Sequence, residues 1–334
     1  MLVTDGWSEV EQHLKQIVAS GARLRYVANP GNAGDALIAA ATWQLFDDLR
    51  LNPAVCRRRF VSAGDAVIYS GGGNLVPEYR SCRRFLEHCL RVGVSAAIIL
   101  PHTIRGYDSL LARLDRRFTI VCRDADSLQG VRNTRTRATT LLAPDMALRL
   151  DVERLERRCA QPSVIAAFAR DLMLSAKFVD YWLWRRSLGG LQICPGSTIN
   201  IIRADVEAVS GAAGDARWDI SNLYASAFRS RNEADFIARD MLAFVRRAGA
   251  VRTNRLHVGI AAALVGRRVS LLDNSYGKVS AVYDTSLRHI NGVSFEGLIR
   301  AATTPQSVRP GTHRSALLSA LYGYRTKILN NRLQ

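Results

Sequence analysis

The sequence has no apolar run that approaches the roughly 20 residues of a membrane-spanning helix. Its six cysteines form no Cys-x-x-Cys pair and show no metal-ligand spacing with the six histidines, which predicts free thiols and no metal site. The first nine residues contain acids and no basic head before an apolar stretch, which argues against a signal peptide. These absences predict a cytoplasmic protein that uses no resident cofactor.

Lysine is scarce, and arginine carries almost all of the positive charge. Lysine and arginine number 46 against 29 acidic residues, which gives a formal net charge of +17. Arginine binds phosphate and carboxylate through a planar fork, so an anionic partner is expected: nucleic acid, an anionic membrane surface or a small phosphorylated substrate. The basic residues are dispersed and no zinc-finger or RRM signature occurs, which weighs against nucleic acid. A biased genome composition is the alternative explanation.

Short apolar runs alternate with helical patterns in both halves of the chain. Strands are predicted over 24–28, 66–69, 96–100, 119–122 and 141–143, and then over 164–168, 200–202, 250–251 and 269–272. The intervening patterns, such as 36–49, 85–90 and 236–245, predict helices. Alternating strands and helices predict parallel sheets covered on both faces, so the fold class is α/β, with two Rossmann-like domains facing a cleft.

A charged stretch over 151–162 is the predicted boundary between these domains. The division places an N-terminal Rossmann-like domain at 1–155 and a C-terminal Rossmann-like domain at 156–300. A helical tail occupies 301–334, where apolar residues recur at helical spacing over 315–329. A small, polar loop is expected over 210–215.

A guanidinium and an imidazole lie two residues apart at a predicted strand-to-helix junction, in the segment Thr253-Asn254-Arg255-Leu256-His257. Either Thr253 or Asn254 is expected to cap the following helix, which places Arg255 and His257 at its first turn. Both could then reach an anion on the helix axis, where free backbone N–H groups already favour negative charge. The structural alternative is that Arg255 pairs with a carboxylate and His257 is an interior histidine.

Polar residues and glycines also follow each of the five predicted strands of the first half. They are Asn32 and Asp35; Gly72, Gly73 and Asn74; His102; Arg123; and Asp145. Because ligands bind beyond the carboxyl ends of the strands in open parallel sheets, these residues are expected to share one rim. Each has a structural alternative: Asp35 as a helix cap, Asp145 as a loop brace, Arg123 as the ion-pair partner of a neighbouring aspartate, and His102 as a residue that closes its loop.

Seven segments in this order resemble the polysaccharide pyruvyl transferase family: 32–38, 71–74, 100–104, 122–124, 144–147, 253–257 and 273–278. The resemblance covers about residues 24 to 290, and Arg255-Leu256-His257 with the sequel 273–278 is its most specific part. The stretch 160–216 is similar only at Arg203-Ala204-Asp205. The resemblance implies a fold like that of GT-B glycosyltransferases. It also implies transfer of pyruvate from phosphoenolpyruvate to sugar hydroxyls as a ketal, during exopolysaccharide biosynthesis.

That reaction suggests roles for the polar residues. His257 is expected to act as the general acid, with Arg255 and Asp35 as further catalytic groups. The expected donor-binding residues are Arg123, His102, Asn32, Gly72, Gly73 and Asn254. The residues expected to bind or position the acceptor are Asn74, Asp145, Arg203, Asn274 and Lys278. No metal ligand is predicted among them.

Two other functions are compatible with the sequence. One is a GT-B-like glycosyltransferase that uses a nucleotide sugar, and the other is a non-enzymatic binder of polyanions or membrane surfaces. The expected partners are phosphoenolpyruvate and a saccharide acceptor, for which a lipid-linked oligosaccharide is one option, and nucleic acid is not expected. If the acceptor is lipid-linked, the protein could make a peripheral contact with the inner face of the membrane through Trp182, Trp184, Arg185 and Arg186. The alternative for this segment is an aromatic core helix.

Overall fold

The computed structural model describes residues 5–191, 193–194, 196–203, 219–224, 228, 230–274 and 277–297. The tail helix predicted over 315–329 and the loop predicted over 210–215 lie outside these residues. No helix in the described ranges is both long enough and apolar enough to cross a bilayer.

The first sheet contains seven parallel strands. They are β1 (Leu24–Val27), β2 (Ala54–Val55), β3 (Ala66–Tyr69), β4 (Gly72–Leu75), β5 (Ala96–Ile104), β6 (Phe118–Cys122) and β7 (Thr139–Leu142). Their order is β2-β1-β3-β5-β6-β7, and β4 pairs with the far end of β5. Every residue of β3 and β6 is buried, as expected for central strands that are covered on both faces.

Six helices accompany this sheet in the described part of the first half. They are α1 (Asp5–Ala19), α2 (Ala33–Asp48), α3 (Ser81–Val92), α4 (Asp108–Leu111), α5 (Ala125–Asn133) and α6 (Val152–Cys159). A capping box starts α2: the Asn32 side chain accepts a hydrogen bond from the Gly34 N–H, and the Asp35 carboxylate accepts one from the Asn32 N–H. Asp35 is therefore a helix cap, whatever else it does.

The second sheet has four parallel strands in the order β11-β10-β9-β8. These strands are β8 (Thr198–Ile201), β9 (Ala250–Thr253), β10 (Arg268–Leu272) and β11 (Val293–Gly297). The helices of this half are α7 (Pro162–Leu174), α8 (Phe178–Gly190), α9 (Ile220–Leu223), α10 (Arg231–Arg246), α11 (Leu256–Leu264) and α12 (Lys278–Val282). Two parallel sheets with flanking helices confirm the predicted α/β class.

The strand predicted over 164–168 is wrong, because this stretch lies inside α7. Pro162 occupies the first turn, where its fixed φ favours a helix. The buried residues Val164, Phe168 and Leu172 then recur every four positions and form one helical stripe. The ring of Phe168 stacks on Phe236 of α10 at a centroid distance of 4.0 Å. A short apolar run does not by itself distinguish a strand from a helix. Here the four-residue spacing of the buried positions identifies a helix.

The two tryptophans of α8 that were proposed from the sequence for a membrane contact differ in exposure. Trp184 is only 2% exposed, and its indole N–H donates to the carbonyl of Ile220 at 3.2 Å. The core alternative is therefore correct for Trp184, which cannot contact a membrane surface. Trp182, two residues earlier, is 48% exposed.

The two halves are joined through α2 and α10. One hydrophobic core continues from α2 (Leu37, Leu45) to α10 (Ile237, Met241) and on to the second sheet. Buried apolar residues of both halves form one cluster, so the described core does not divide into two separate parts. The domain limit at 155 stays a prediction.

Candidate functional site

A cleft of about 370 Å³ lies where the carboxyl ends of β1, β4 and β6 meet the start of α11. Many of the residues predicted from the sequence line it: Asn32, Asp35, Gly73, Asn74, Arg123, Arg203, Arg255, His257 and Lys278. The two halves of the chain both contribute, as the resemblance implied. Gly72, His102, Asp145, Asn254 and Asn274 are not among its lining residues.

His257 is the second residue of α11 and lies between the two halves. Its Nε2 atom is 3.6 Å from the Asp145 carboxylate, within ion-pair range, and has no hydrogen-bond partner. The imidazole packs against the first turn of α2, so that a Cβ built on Gly34 would lie 2.7 Å from its Nδ1. The ring is thus held between glycine on one side and the Asp145 carboxylate on the other.

Neither Thr253 nor Asn254 caps α11, contrary to the sequence-based expectation. Arg255 occupies the cap position and makes no side-chain cap hydrogen bond. Thr253 instead donates to the Ile201 carbonyl and accepts from the Arg255 N–H, and the Asn254 side-chain oxygen accepts from the Arg203 N–H. These side chains tie β9 to β8 because the parallel neighbour strand brings its backbone within reach.

Arg255 pairs with a carboxylate, as its structural alternative foresaw. Its Nε donates to Asp219 at 2.8 Å, and its Nη2 donates to the second carboxylate oxygen. Both side chains are nearly fully buried, so the pair forms a two-pronged contact that fixes the guanidinium in the cleft wall. Asp219 was missed because it belongs to no motif, and only tertiary proximity assigns it.

Arg123 is fully buried and uses only part of its donor capacity. Its Nη1 donates to Asp145 at 2.6 Å and its Nε to Thr103 at 2.8 Å, while Nη2 has no partner. A Cβ on Gly73 would lie 2.6 Å from that Nη2, so a glycine is needed there. Buried donors are nearly always satisfied, so this N–H in the cleft wall can donate to an oxygen of water or of an anion that enters the cleft.

The partner of Arg123 is not one of the adjacent aspartates. Asp124 caps α5 through the Ser127 N–H and pairs with Arg105 at 3.1 Å. Asp126 lies 3.6 Å from the same arginine. The ion pair of Arg123 is instead made to Asp145, which follows the neighbouring strand β7.

The pKa values of Asp35 and Asp145 move in opposite directions. Burial raises the pKa of the Asp35 carboxyl above its ordinary 3.8 and outweighs the opposing charges of His257 and Lys278. Burial also raises the pKa of Asp145, but the charges of Arg123 and His257 have the larger effect and hold this pKa below 3.8. Such a pair assigns different roles to two carboxyls: Asp145 is a fixed anion, and Asp35 is suited to exchange a proton.

His102 lies behind the cleft wall. Burial, reinforced by the charge of Arg123, lowers the pKa of its imidazole to about 3, so the ring is neutral near pH 7. Its Nε2 is 2.7 Å from the side-chain oxygen of Asn74 and 3.2 Å from the Asn74 N–H. His102 is 0% exposed and is not among the lining residues of the cleft, so in this structure its contact with the cleft runs through Asn74, and its predicted donor-binding role stays a prediction.

Asp273 and Asn274 help to build the start of α12. Asp273 accepts hydrogen bonds from the Val279 and Ser280 N–H groups, and the Asn274 side chain accepts one from the Lys278 N–H. These bonds place Lys278 at the first position of α12, where it lines the cleft. Asn274 thus fixes the backbone of Lys278 and does not itself line the cleft. Ser275 and Tyr276 lie outside the described residues.

Gly72 begins β4 with a φ of 142°, a conformation that L side chains rarely adopt. A Cβ there would also lie 3.4 Å from the side-chain nitrogen of Asn29. The sequence analysis did not select Asn29, although it lines the cleft and donates to Asp35 at 3.2 Å. Its position directly after β1 was the available signal. Among the described residues, no group of three His, Cys, Asp or Glu could hold a metal ion.

Replacing Gly34 with alanine is expected to lower the turnover number about 100-fold, because the new methyl group displaces the His257 ring from its position. The control is Gly130→Ala in α5, where no atom lies within 4 Å of the new Cβ. Both variants gain helix propensity, by about 0.5–1 kcal/mol. Thermal unfolding and turnover are measured for each, and equal activity of the two variants would contradict the packing role of Gly34.

Comparisons with known proteins match the chain to a family model and to solved structures, one of which is described here. A family model described as polysaccharide pyruvyl transferase matches residues 32–276. The crystal structure of an uncharacterized protein from Klebsiella pneumoniae is similar, with a TM-score of 0.68 and 26% sequence identity. The match covers 87% of this chain and 98% of that one. No curated protein matches the sequence significantly.

Proposed function

Since the chain belongs to the polysaccharide pyruvyl transferase family, and is therefore a transferase, we propose that it moves pyruvate from phosphoenolpyruvate to two hydroxyls of a saccharide as a ketal, during exopolysaccharide biosynthesis. The observation that carries the choice of donor is the buried guanidinium of Arg123 in the cleft wall, whose Nη2 has no hydrogen-bond partner and whose Nη1 contacts the same carboxylate, Asp145, that the imidazole of His257 faces. A small dianionic ligand in the cleft supplies an acceptor for this Nη2.

Phosphoenolpyruvate holds a phosphate and a carboxylate on one three-carbon frame, so its site needs cations in fixed positions. Arg123 and Arg203 line the cleft from the first and second halves, and Lys278 lines it from the start of α12. The carboxylates of Asp145 and Asp219 fix the guanidinium groups of Arg123 and Arg255. Preorganised charges of this kind stabilise an anion without rearranging when the reaction begins.

The proposed reaction has two additions at carbon 2 of the donor. His257 donates a proton to the methylene carbon, carbon 2 becomes electrophilic, and the first sugar hydroxyl forms a bond to it. The carbon–oxygen bond to phosphate then breaks, and the second hydroxyl closes the ketal. The two hydroxyls release two protons: one restores the proton that His257 gave, and the other leaves with the phosphate. Asp35 accepts the proton of the attacking hydroxyl.

The pH dependence of the reaction is expected to report Asp35. Burial raises the pKa of this carboxyl above 3.8, so the base form is lost at a higher pH than for an ordinary aspartate. Consequently kcat/KM falls on the acid side as Asp35 becomes protonated. Asp35→Asn is expected to lower the rate by about 10²–10⁴ and to remove that acid limb. A retained limb in the variant would assign the limb to another group.

The donor is tested by incubating purified protein with phosphoenolpyruvate and a panel of saccharides. Released phosphate and a new ketal methyl signal in the NMR spectrum of the product are expected. Phosphoenolpyruvate is also expected to raise the unfolding temperature, and no glycosyl transfer from nucleotide sugars is expected. Stabilisation by a nucleotide sugar together with glycosyl transfer would replace the proposal with the glycosyltransferase alternative.

We further propose a peripheral membrane contact at the tip formed by α7 and α8. Five apolar side chains there are 48–80% exposed: Met173, Leu174, Phe178, Val179 and Trp182. The Arg186 guanidinium lies 5.2 Å from the centre of the Trp182 ring. Apolar side chains flanked by arginine suit an interface with anionic lipids. Sedimentation with phosphatidylglycerol vesicles is expected, and a Met173→Ser/Leu174→Ser variant that sediments equally well would refute this contact.

A further inference from the structure

Ser221 is a cleft residue that neither the sequence motifs nor the proposed reaction uses. It belongs to the short helix α9, lines the cleft and is 2% exposed. Within the described part of the chain, its hydroxyl oxygen is buried and has no hydrogen-bond partner. Ser81, which also lines the cleft, differs because its hydroxyl accepts a hydrogen bond from the Asn74 side chain at 3.1 Å. A buried hydroxyl without a partner costs free energy until water or a ligand supplies one.

The two residues before Ser221 hold it in place. The Asp219 carboxylate makes the two-pronged contact with Arg255 at the start of α11. The Ile220 carbonyl accepts a hydrogen bond from the indole N–H of Trp184 in α8 at 3.2 Å. These bonds fix the backbone of α9 against both α11 and α8. Because Ser221 adjoins the cavity, rotation about its Cα–Cβ bond is enough to present the hydroxyl to a ligand.

The charged side chains of the cleft favour an anion as the partner of this hydroxyl. Four cationic residues line the same cleft, and Asp35 is the one carboxylate among its described lining residues. The cationic residues are Arg123, Arg203, Arg255 and Lys278. A serine hydroxyl can donate or accept a hydrogen bond, and donation to an ionised oxygen is the stronger of the two. An anionic oxygen that enters the cleft is therefore the partner that suits Ser221 best.

We infer that Ser221 is a donor-binding residue, whose hydroxyl donates a hydrogen bond to an anionic oxygen of phosphoenolpyruvate. The inference rests on the proposed function and adds a residue of the second half to the donor site. Arg123 offers its Nη2 from the first half, so each half contributes a buried group without a partner to the same cleft. The phosphate and the carboxylate of the donor share this chemistry, and the test separates them.

The test compares the full-length wild type with Ser221→Ala by calorimetry. The Kd for phosphoenolpyruvate is expected to rise about ten- to hundred-fold, which corresponds to the loss of one hydrogen bond to a charged group. Inorganic phosphate, measured by competition with phosphoenolpyruvate, is the second probe because it has no carboxylate. If both ligands weaken by the same factor, Ser221 contacts the phosphate. If phosphoenolpyruvate alone weakens, Ser221 contacts the carboxylate.

The stability of the unliganded variant distinguishes ligand binding from a structural role. Ser221→Ala removes a hydroxyl that makes no hydrogen bond in the described structure, so the unfolding temperature without ligand is expected to stay unchanged or to rise slightly. The increase that a fixed concentration of phosphoenolpyruvate produces is expected to be smaller than in the wild type. A lower unfolding temperature without ligand, together with an unchanged Kd, would assign the hydroxyl a structural role and overturn the inference.

Ser286→Ala is the matched control. Ser286 belongs to the π-helical turn Tyr283–Leu287 that follows α12, and its hydroxyl oxygen is likewise buried without a partner among the described residues. It does not line the cleft. This variant is expected to bind phosphoenolpyruvate like the wild type. Equal losses of affinity in the two serine variants would show that Ser221 does not act through the cleft.

The inference and the proposed function fail in different ways. If Ser221→Ala binds phosphoenolpyruvate more weakly but the wild type pyruvylates no saccharide, the binding residue stands and the proposed reaction falls. If the wild type forms ketals and Ser221→Ala binds phosphoenolpyruvate equally well, the reaction stands and the inference about Ser221 falls. An increase in the KM for the saccharide alone would likewise overturn the inference, because it would assign Ser221 to the acceptor.

Discussion

Replacing His257 with alanine is expected to lower the turnover number by about 10²–10⁴, the usual contribution of a positioned general acid. The imidazole lines the cleft between Gly34, which packs against its Nδ1, and the Asp145 carboxylate, which lies 3.6 Å from its Nε2. Water can occupy the space that the imidazole leaves, but it does not act as a positioned acid. The methylene carbon of the donor then has no proton source at a fixed position. Phosphate release under saturating phosphoenolpyruvate measures the effect.

His289→Ala is the matched control, because His289 is exposed and lies outside the cleft. It is expected to keep full activity. Binding of phosphoenolpyruvate to His257→Ala, measured by calorimetry, separates chemistry from affinity: a kcat defect with a Kd within about ten-fold of wild type fits a proton donor. Unchanged kcat in His257→Ala would remove the catalytic assignment.

Replacing Arg123 with methionine is expected to destabilise the protein by about 3–5 kcal/mol, because Asp145 is left as an unpaired charge in the interior. Both side chains of the pair are 0% exposed, so water cannot replace the guanidinium. The same change removes a donor from the proposed anion site, and phosphoenolpyruvate is expected to lose its stabilising effect. Urea unfolding at neutral pH measures the free energy.

The pair also predicts the acid side of the stability profile. Arg123 and His257 hold the pKa of Asp145 below its ordinary 3.8, so the stabilisation is complete above 3.8 and is lost as the pH falls towards the folded-state value. In Arg123→Met this acid-dependent loss is expected to shrink, since most of the stabilisation is already absent.

Two further variants serve as references for Arg123→Met. Arg83→Ala, which breaks an exposed pair with Glu87, is expected to leave the free energy of unfolding almost unchanged. Arg123→Met/Asp145→Asn removes the unpaired charge and is expected to recover part of the lost stability. If Arg123→Met and Arg83→Ala cost the same, the buried pair does not contribute as proposed.

Local patterns predicted the secondary structure wherever the apolar period was clear. The strands at 66–69 and 119–122 lie in the centre of the first sheet, and their continuous apolar runs are those of strands buried on both faces. The stretch 164–168 was assigned to the wrong element because five residues hold less than two helical turns, and the repeat that identifies α7 needs Leu172 as well.

Motifs predicted which residues lie at the cleft more reliably than what they do there. His102 and Asp145 have the right place along the chain, yet both are fully buried behind the wall. Arg255 lines the cleft, but its guanidinium is paired with Asp219, 36 positions earlier in the sequence. No residue pattern near Arg255 marks that partner, because Asp219 lies outside every segment that carries the family resemblance.

The sequence by itself determined the α/β class, the family and the set of polar residues at the strand ends, because periodicity and motif order are properties of neighbouring residues. The tertiary structure decided which of these groups are buried, paired or without a partner. Asp145 lies beside Arg123 and His257, and Asp35 loses its hydration without gaining an equal counter-charge. Desolvation and ion pairing depend on distances between residues that are remote in the chain, so only the folded protein separates a fixed anion from a proton-exchanging carboxyl.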